Sequence, residues 1–398
     1  MGKIAVVDQN LKLHITDIGG TDVVTVDVLG QGQTWPVWSP SGERILFSSA
    51  SVGSNGHGHL GVYSWNVTDG LTQLEYKNEL GTDAIAKRTP HYAQWSPNSF
   101  DFSFVAQIMD GDLALFLGSV DPAEPPKKVL SGKPMFSSWS PSGAYLLAHS
   151  GFDHFVIDRK DGDQVKKISG SSSLYSAPSW SPVESQMALL RQEGEQRQSL
   201  VVSDMYGKTM NVLTEFSGIG AFSWAPDGRS IALLRDVHEG SKFFAGLWIV
   251  DYDGKEERQI TDEPLICFYW SPDASKIACV TSPGGDSGWV RWSVFDLMSG
   301  RVNHLNDFLP TTEQLMMFLF FDQYSQTHNP WSPDGQMLTF AGVVNKRRER
   351  IDIDQDEGSY IFVLDAKGSE PLIPVAKGPL GVWSRGDGEV IGSNRSGF

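Results

Sequence analysis

Hydrophobic and polar residues alternate in short stretches along most of this chain, which is the pattern of half-buried β-strands. The pattern is clearest where an apolar strand ends at Trp224 and the turn Pro226-Asp227-Gly228 follows. This turn is tight because Pro fixes one backbone dihedral and Gly accepts a positive one. Three further alternating stretches follow the turn, at 230–235, 247–251 and 257–261. Together they predict one sheet of four antiparallel strands.

The tryptophan-and-turn phrase of this unit recurs eight times along the chain. The copies are Trp38-Ser39-Pro40-Ser41-Gly42, Trp95-Ser96-Pro97-Asn98-Ser99, Trp139-Ser140-Pro141-Ser142-Gly143, Trp180-Ser181-Pro182-Val183-Glu184, Trp224-Ala225-Pro226-Asp227-Gly228, Trp270-Ser271-Pro272-Asp273-Ala274, Trp331-Ser332-Pro333-Asp334-Gly335 and Trp383-Ser384-Arg385-Gly386-Asp387-Gly388. Successive tryptophans are 41 to 61 residues apart, a spacing typical of four-stranded propeller blades. Because each tryptophan stands beside a turn, we expect these side chains to pack between blades rather than to stack on a ligand.

The two ends of the chain are predicted to share one blade. Residues 3–7 match 276–280, the second strand of another copy, and two more predicted strands follow them. Pairing of these three strands with the inner strand that ends at Trp383 closes the ring. The predicted fold is all-β: residues 1–398 form a single closed β-propeller of eight four-stranded blades. Residues 389–393 offer one additional strand, so seven blades are the alternative.

The repeated phrases are similar to the repeats of TolB-like propellers, and the resemblance covers essentially the whole chain. This resemblance implies a propeller that binds protein partners. Similar blades also occur in the propeller domains of prolyl-oligopeptidase-like and dipeptidyl-peptidase-like enzymes, so the motif is specific for fold and not for function. Three copies depart from the pattern, at Val183-Glu184, at Ala225 and at Arg385, which stands where the other copies have Pro. We expect these changes to loosen single turns.

Charge and the length of apolar runs narrow the classes of partner. Lys plus Arg number 32 and Asp plus Glu number 48, so the net charge is -16, and nucleic acid and anionic lipid surfaces are expected to repel the chain. The longest apolar run, 315–321, is too short to insert into a bilayer. No signal-peptide pattern is visible, so the expected location is cytoplasmic, or periplasmic if a leader has been removed.

Two cysteines flank the turn after Trp270. If Trp270 faces Lys276 across that hairpin, then Cys267 and Cys279 lie opposite each other, and a cross-strand disulfide is conceivable. Two buried free thiols are the favoured interpretation, because one bridge adds little to a closed ring of this size.

The candidate site is predicted on the face that carries the long loops. The sizeable insertions are 50–60, 77–91, 236–245, 307–326 and 343–359. Variable loops on a rigid scaffold are a usual place for binding. Seven of the nine histidines map to the same face, which suggests a ligand site, an acid–base cluster or a histidine-bound divalent metal; solvated loop histidines are the alternative. The candidate residues are His91, His149, His154, Arg235, Asp236, His238, Tyr324, Gln326 and His328.

The segment before Trp331 predicts a short helix over about 311–323. Thr311 is placed to cap this helix and Gln314 to close a capping box. Because the helix is apolar nearly all round, we expect it to pack as a lid on the propeller mouth. A docking surface is the alternative, and a dimer formed through 315–321 then replaces the expected monomer.

Two functions remain open at this point. The first is a TolB-like binding or scaffold module, whose loop face and tunnel mouth bind a protein segment or a small ligand without any required cofactor. The second is a lone-propeller enzyme, a lyase or hydrolase that depends on histidine or on a metal, an arrangement that some oligogalacturonate lyases resemble. A mouth without converging titratable groups favours binding, whereas two or three histidines around one metal ion favour the enzyme.

Overall fold

The computed structural model of the chain consists mainly of β-strands. The residues it describes are 2–26, 28, 31–52, 58–77, 92–108, 112–172, 175–183, 185–194, 197–235, 243–284, 288–345 and 358–385. Within these ranges lie 31 strands and two short helices, α1 (Thr312–Leu319) and α2 (Phe321–Tyr324). No helix in the described ranges has both the length and the apolar character needed to cross a membrane. The fold is all-β, as predicted.

The first and last strands share one sheet. Its members, in the order β3-β2-β1-β31, are β1 (Ile4–Val7), β2 (Leu13–Thr16), β3 (Val24–Thr25) and β31 (Leu380–Trp383). β1 runs antiparallel to β31, with Ile4 opposite Trp383. This pairing of the two ends was predicted from the sequence. The additional strand suggested at 389–393 lies outside the described residues.

Five further sheets each contain four antiparallel strands in sequence order, and the first strand of each ends at a repeat tryptophan. The first two sheets are β4 (Gln31–Trp38), β5 (Arg44–Val52), β6 (Gly58–Asn66) and β7 (Thr72–Lys77), then β8 (Ala93–Trp95), β9 (Asp101–Gln107), β10 (Leu113–Ser119) and β11 (Lys127–Ser131). The next are β12 (Met135–Trp139), β13 (Tyr145–Ser150), β14 (Asp153–Asp158) and β15 (Gln164–Ser171), then β16 (Ser179–Trp180), β17 (Gln186–Gln192), β18 (Arg197–Asp204) and β19 (Thr209–Ser217). The fifth is β20 (Ala221–Trp224), β21 (Ser230–Leu234), β22 (Leu247–Asp251) and β23 (Glu257–Thr261).

The remaining strands form one sheet of seven. They are β24 (Leu265–Trp270), β25 (Lys276–Thr281), β26 (Val290–Asp296), β27 (Val302–Pro310), β28 (Met337–Val344), β29 (Tyr360–Asp365) and β30 (Ile373–Lys377). The two repeat units merge because β27 pairs directly with β28, with Phe308 opposite Val344. The strand that should precede the turn at Trp331 is reduced to a single bridge, Trp331 to Leu338.

In four copies of the repeat phrase, the serine hydroxyl accepts the backbone N–H of the residue five positions on and so stabilises the turn. In the copy at Ser271, the backbone N–H of Lys276 donates to the serine Oγ at 2.9 Å, and this hydroxyl donates to Asp273 Oδ1 at 2.6 Å. Ser332 makes the equivalent bonds in the next copy. The last position of the phrase has a positive φ even where it is not glycine, as at Ala274 (φ 57°). The repeated spacing therefore encodes one hydrogen-bonded turn that begins the next strand.

The repeat tryptophans pack between neighbouring sheets, as predicted. All eight are buried, with at most 6 % of each side chain exposed. Five indole N–H groups donate to the carbonyl oxygen of the residue that precedes the tryptophan of the neighbouring unit. These bonds are Trp38 to Val382 (3.1 Å), Trp95 to Val37 (3.0 Å), Trp224 to Ser179 (3.3 Å), Trp270 to Ser223 (3.3 Å) and Trp331 to Tyr269 (2.9 Å). Each bond ties the end of one first strand to the end of the next.

The register at the two cysteines differs from the prediction. The turn sets the pairing one residue away from the expected one: the Ser271 N–H donates to the Lys276 carbonyl oxygen at 2.9 Å, so that Trp270 faces Ile277 and Cys267 faces Val280. The expected Trp270–Lys276 pairing is wrong for this reason, and Cys279 lies opposite Phe268. Both cysteines are buried free thiols, and burial raises the pKa of each well above its usual range.

Replacement of Trp38 by Phe should cost more stability than replacement of Trp180. Both tryptophans are buried, but only Trp38 donates to a carbonyl oxygen; within the described residues the Trp180 indole N–H has no partner. The loss of ring volume is the same, so the difference reports the Trp38–Val382 bond. We expect Trp38→Phe to lower the free energy of unfolding by about 0.5–1.5 kcal/mol more than Trp180→Phe, because it removes this one hydrogen bond. Denaturant titration of both variants measures this difference, and equal costs would contradict a structural role for the bond.

Candidate functional site

Residues 311–329, called the central segment here, contain both helices and contact several sheets. Thr311 caps α1 as predicted, because its side chain accepts the N–H of Gln314 at 3.1 Å. The capping box does not close: the Gln314 side chain instead accepts the backbone N–H of Ala341 at 3.0 Å. The predicted single helix is also interrupted at Phe320, which separates α1 from α2.

The apolar side of the central segment packs into the sheets. Met317, Phe318 and Phe321 are buried. The Phe318 ring meets Trp292 edge-on at 5.6 Å, and the Phe321 ring lies 4.9 Å from that of Phe268. The segment therefore packs as the expected lid. Its helix is not buried all round, however, since Leu315 and Leu319 remain 37 % and 54 % exposed.

The polar side of the central segment bonds to the starts of the first strands. The Gln323 amide forms a buried pair with the Ser137 backbone, accepting its N–H at 2.9 Å and donating to its carbonyl at 3.0 Å. The Tyr92 hydroxyl donates to the Gln323 carbonyl oxygen at 2.9 Å, and the Ala177 N–H donates to the Asp322 carboxylate at 3.1 Å. Burial raises the pKa of Asp322.

Other contacts extend the central segment to the terminal sheet and to the sheet of β4. The Thr311 hydroxyl donates to the Pro379 carbonyl oxygen at 2.7 Å, beside β31. The Tyr324 ring stacks on Trp35 at 5.2 Å. The segment also contacts β20 and β24. One chain segment therefore joins all seven sheets at the end where their first strands begin, which is the predicted loop face.

Two of the candidate histidines form a buried pair in the sheet of β12–β15. His149 and His154 lie opposite each other on β13 and β14, with ring centroids 4.9 Å apart. His149 Nδ1 lies 2.6 Å from the Ser176 carbonyl oxygen and Nε2 lies 2.8 Å from that of Gly151. A neutral imidazole has one N–H and donates to only one of these oxygens. Burial lowers the pKa of both histidines, that of His154 to about 3. Neither is a solvated loop side chain.

The other candidates lie apart from this pair. Tyr324 and His328 are buried in the central segment, where the Thr327 hydroxyl is 2.7 Å from His328 Nδ1. Burial, followed by the charge of Arg385, lowers the pKa of His328 to about 3. Arg235 lies on the outer part of its sheet, 2.7 Å from Glu257 and over the Trp248 ring at 4.4 Å. His91, Asp236 and His238 lie outside the described residues.

The described candidates are therefore not assembled into one open site. His149 and His154 are buried together in one sheet, whereas Tyr324 and His328 are buried together in the central segment. Across the part of the chain that the structure describes, no group of three His, Cys, Asp or Glu side chains is placed to hold a metal ion. The loop-face insertions other than 307–326 include residues outside that part.

A cavity of about 400 Å³ lies at the opposite end of the first strands. Its walls repeat one pattern, a buried tryptophan followed by a proline at the rim, in five successive copies: Trp38 and Pro40, Trp95 and Pro97, Trp139 and Pro141, Trp180 and Pro182, Trp224 and Pro226. Ser325, Gln326, Thr327 and Asn329 of the central segment also line it. The cavity is therefore on the face of the repeat turns, not on the predicted loop face, because the central segment occupies the loop-face end.

Arg385 is the one charged side chain among the residues that line this cavity. It keeps an exposed surface, yet protein surrounds it closely enough that desolvation lowers the pKa of its guanidinium. One guanidinium nitrogen donates to the Gln326 carbonyl oxygen. From the sequence, Arg385 is expected only to loosen the turn of its repeat. The signal was present, since seven copies have Pro at this position and the eighth has a cation.

A second cavity, of about 440 Å³, lies beside the start of α1. Trp35, Leu309 and Val343 supply apolar walls, and Glu313 is the charged residue among its lining. Trp35 has a positive φ of 54°, which is rare for a bulky side chain. Its indole is held by the stacking contact with Tyr324, so its conformation is explained by packing on the central segment.

Acidification should destabilise the fold through the buried histidines. His154 is neutral in the folded chain, with a pKa of about 3, whereas the unfolded side chain takes up a proton below about pH 6.5. The unfolded state therefore binds more protons between these values, and the stability contributed by neutral His154 is lost as the pH falls. We expect His154→Leu to reduce the slope of unfolding free energy against pH by about 1.4 kcal/mol per unit between pH 6 and 4. Denaturant titrations at several pH values test this expectation, and identical slopes for both proteins would contradict it.

Comparison with known proteins supports the fold and leaves the function open. No protein-family model and no curated protein sequence matches this chain. Among solved structures it is similar to a eukaryotic initiation factor, at 12% identity over 97% of this chain and 99% of that one, with a TM-score of 0.56. An oligogalacturonate lyase from Vibrio parahaemolyticus is 13% identical over 83% and 85% of the two chains, with a TM-score of 0.52. TolB from Acinetobacter baumannii is 19% identical over 85% and 82%, with a TM-score of 0.43. The lyase and TolB are β-propeller proteins, and at these identities the likeness concerns the β-propeller fold alone.

Proposed function

We propose that this chain is a single closed propeller of eight blades and that it acts as a non-catalytic binding module. The sheet of seven counts as two blades in this proposal, because it contains two repeat tryptophans, Trp270 and Trp331. Closure is supported by two contacts between the ends of the chain. β1 pairs with β31, and the Trp38 indole donates to Val382 on the last strand.

The proposed ligand is a protein segment or a small molecule that enters the cavity at the repeat turns. The observation that carries this proposal is the cavity itself, whose walls come from five copies of one rigid turn and whose floor is the central segment. Ligand sites are usually preformed concave pockets with mainly apolar walls and a few polar groups. This cavity has that composition, since tryptophan and proline side chains alternate with serine and amide groups.

The cavity chemistry supports binding over acid–base catalysis. Among the described residues, its lining contains one ionisable group, Arg385, whereas general acid–base chemistry usually needs a group that titrates near neutral pH. Of the candidate site residues whose positions the structure describes, Gln326 alone lines this cavity. We therefore propose the turn face, in place of the loop face, as the surface that engages the ligand.

A blocking substitution tests this proposal. Ser325 lies on the cavity floor, and Ser325→Trp is expected to fill the space with a large side chain. Ser131→Trp places the same side chain on the exposed outer strand β11 and is the matched control. Pools of short peptides and of small organic fragments are screened against all three proteins by saturation-transfer NMR. We expect ligands that bind the wild type and Ser131→Trp, with at least a tenfold loss of affinity in Ser325→Trp.

The contrary outcomes are defined in the same screen. Ligands that bind all three proteins equally would place the site elsewhere, and the absence of any ligand at millimolar concentration would contradict the proposal. Melting temperatures check that the variants fold. If Ser325→Trp does not fold, Ser223→Phe supplies a second blocking variant, since Ser223 lines the cavity wall and its side chain is only partly buried.

A further inference from the structure

Arg385 follows a residue that two hydrogen bonds hold to the start of the first strand. Ser384 donates its backbone N–H to the Lys3 carbonyl oxygen at 2.7 Å, and its hydroxyl accepts the Lys3 N–H at 2.9 Å. The residue after this clamp is Arg385, in the position where the other seven copies carry Pro. In five of those copies the proline lines the cavity rim. The altered repeat therefore sets a guanidinium among the proline rings.

The positive charge of Arg385 has no acidic partner among the described residues. No ion pair of Arg385 with Asp or Glu is found within the described ranges, and the groups that act on its charge are the surrounding protein and the Tyr92 hydroxyl. The guanidinium carries five N–H donors, and the Gln326 carbonyl oxygen accepts one bond. A partly desolvated cation without a counter-charge is unfavourable until an anion reaches it.

The remaining walls offer apolar surface and not further charge. The indole N–H groups of Trp38, Trp95 and Trp224 are already bonded to carbonyl oxygens of the protein. These tryptophans therefore present carbon surface to the cavity, beside the proline rings. A ligand that fits both features has an anionic group for Arg385 and an apolar body for the walls.

The overall charge of the chain does not prevent this recognition. The net charge is -16, which repels anions at long range. At physiological ionic strength, however, exposed charges are screened beyond about 8 Å, whereas a carboxylate bound to the guanidinium is in direct contact with it. The local charge therefore determines which ligand is favoured.

We infer that Arg385 binds the carboxylate of a ligand with an apolar body, either a small organic acid or the C-terminal residue of a polypeptide. This inference rests on the proposed function, because it requires the cavity to take a ligand. A carboxylate matches the planar, two-pronged donor geometry of a guanidinium, which allows two parallel hydrogen bonds. The apolar body then contacts the tryptophan and proline walls.

Matched probes test the inference. N-acetylphenylalanine carries the carboxylate, and N-acetylphenylalaninamide is its neutral counterpart of nearly the same shape. We expect the acid to bind the wild-type protein at least tenfold more tightly than the amide, and this preference to disappear in Arg385→Gln. Arg385→Lys keeps the charge without the two-pronged geometry and should retain part of the preference. Isothermal titration calorimetry measures each affinity.

Three further arms separate the sources of the ligand and check the fold. A hexapeptide that ends in a free phenylalanine, compared with its C-terminal amide, tests the polypeptide source; tighter binding than N-acetylphenylalanine favours it, and weaker binding favours a small acid. Inorganic phosphate, which lacks an apolar body, should compete poorly. Arg385→Pro introduces the residue that the other seven repeats have at this position, so it removes the cation with a substitution that the repeat accepts elsewhere.

The outcomes distinguish this inference from the proposed function. Equal binding of acid and amide to the wild type, or an unchanged preference in Arg385→Gln and Arg385→Pro, would overturn the role of Arg385. If Ser325→Trp still blocked both probes in that case, the cavity would remain the binding site. If Ser325→Trp did not affect binding of the probes, the proposal that the cavity is the binding site would be contradicted. If neither acid nor peptide bound at millimolar concentration, the inference would be wrong.

Discussion

The architecture depends on the hydrogen bond from a buried tryptophan indole to the backbone of the neighbouring unit. In five places this bond reaches the carbonyl oxygen just before the repeat tryptophan of the neighbouring unit. It fixes the ends of adjacent first strands relative to each other, and therefore also fixes the turns that follow. The proline rings that line the cavity at the repeat turns are placed by the same constraint, because each stands two residues after its tryptophan.

The central segment decides which end of the first strands stays open. It bonds to Ser137, Ala177 and Ala341 through side chains of its own. Buried polar groups that lose such partners are costly, so the segment is held firmly in place. The loop-face end is thereby filled with protein, and the cavity remains at the turn face. The direction of ligand entry in the proposed function follows from this one insertion.

Much of the fold is readable from the sequence, because the repeat encodes local structure. The four strands around Trp224 agree closely with the predicted stretches, and the pairing of β1 with β31 follows from matching the first residues to another copy. Thr311 was recognised as a cap since capping depends on residues only three positions apart. Features set by nearby residues were therefore predictable.

The site depends on contacts between distant residues, and there the sequence was a weaker guide. His149 and His154 looked like loop residues but are buried by packing that their spacing does not reveal. The turn after Trp270 set the register of its hairpin one residue away from the expected pairing. Gln314 bonded to Ala341 in place of its own helix, which no local rule indicates. Arg385 was visible as an exception to the repeat, but only the folded structure shows that it lines a cavity.

Closure of the ring at Trp38 is the central claim, and hydrogen exchange of the tryptophan indole N–H groups, followed by NMR, tests it most directly. If the ring is closed, the Trp38 indole should exchange as slowly as that of Trp270, since both are released only when sheets separate. Exchange at Trp38 that is orders of magnitude faster, with Trp270 still protected, would mean that the ends of the chain come apart on their own.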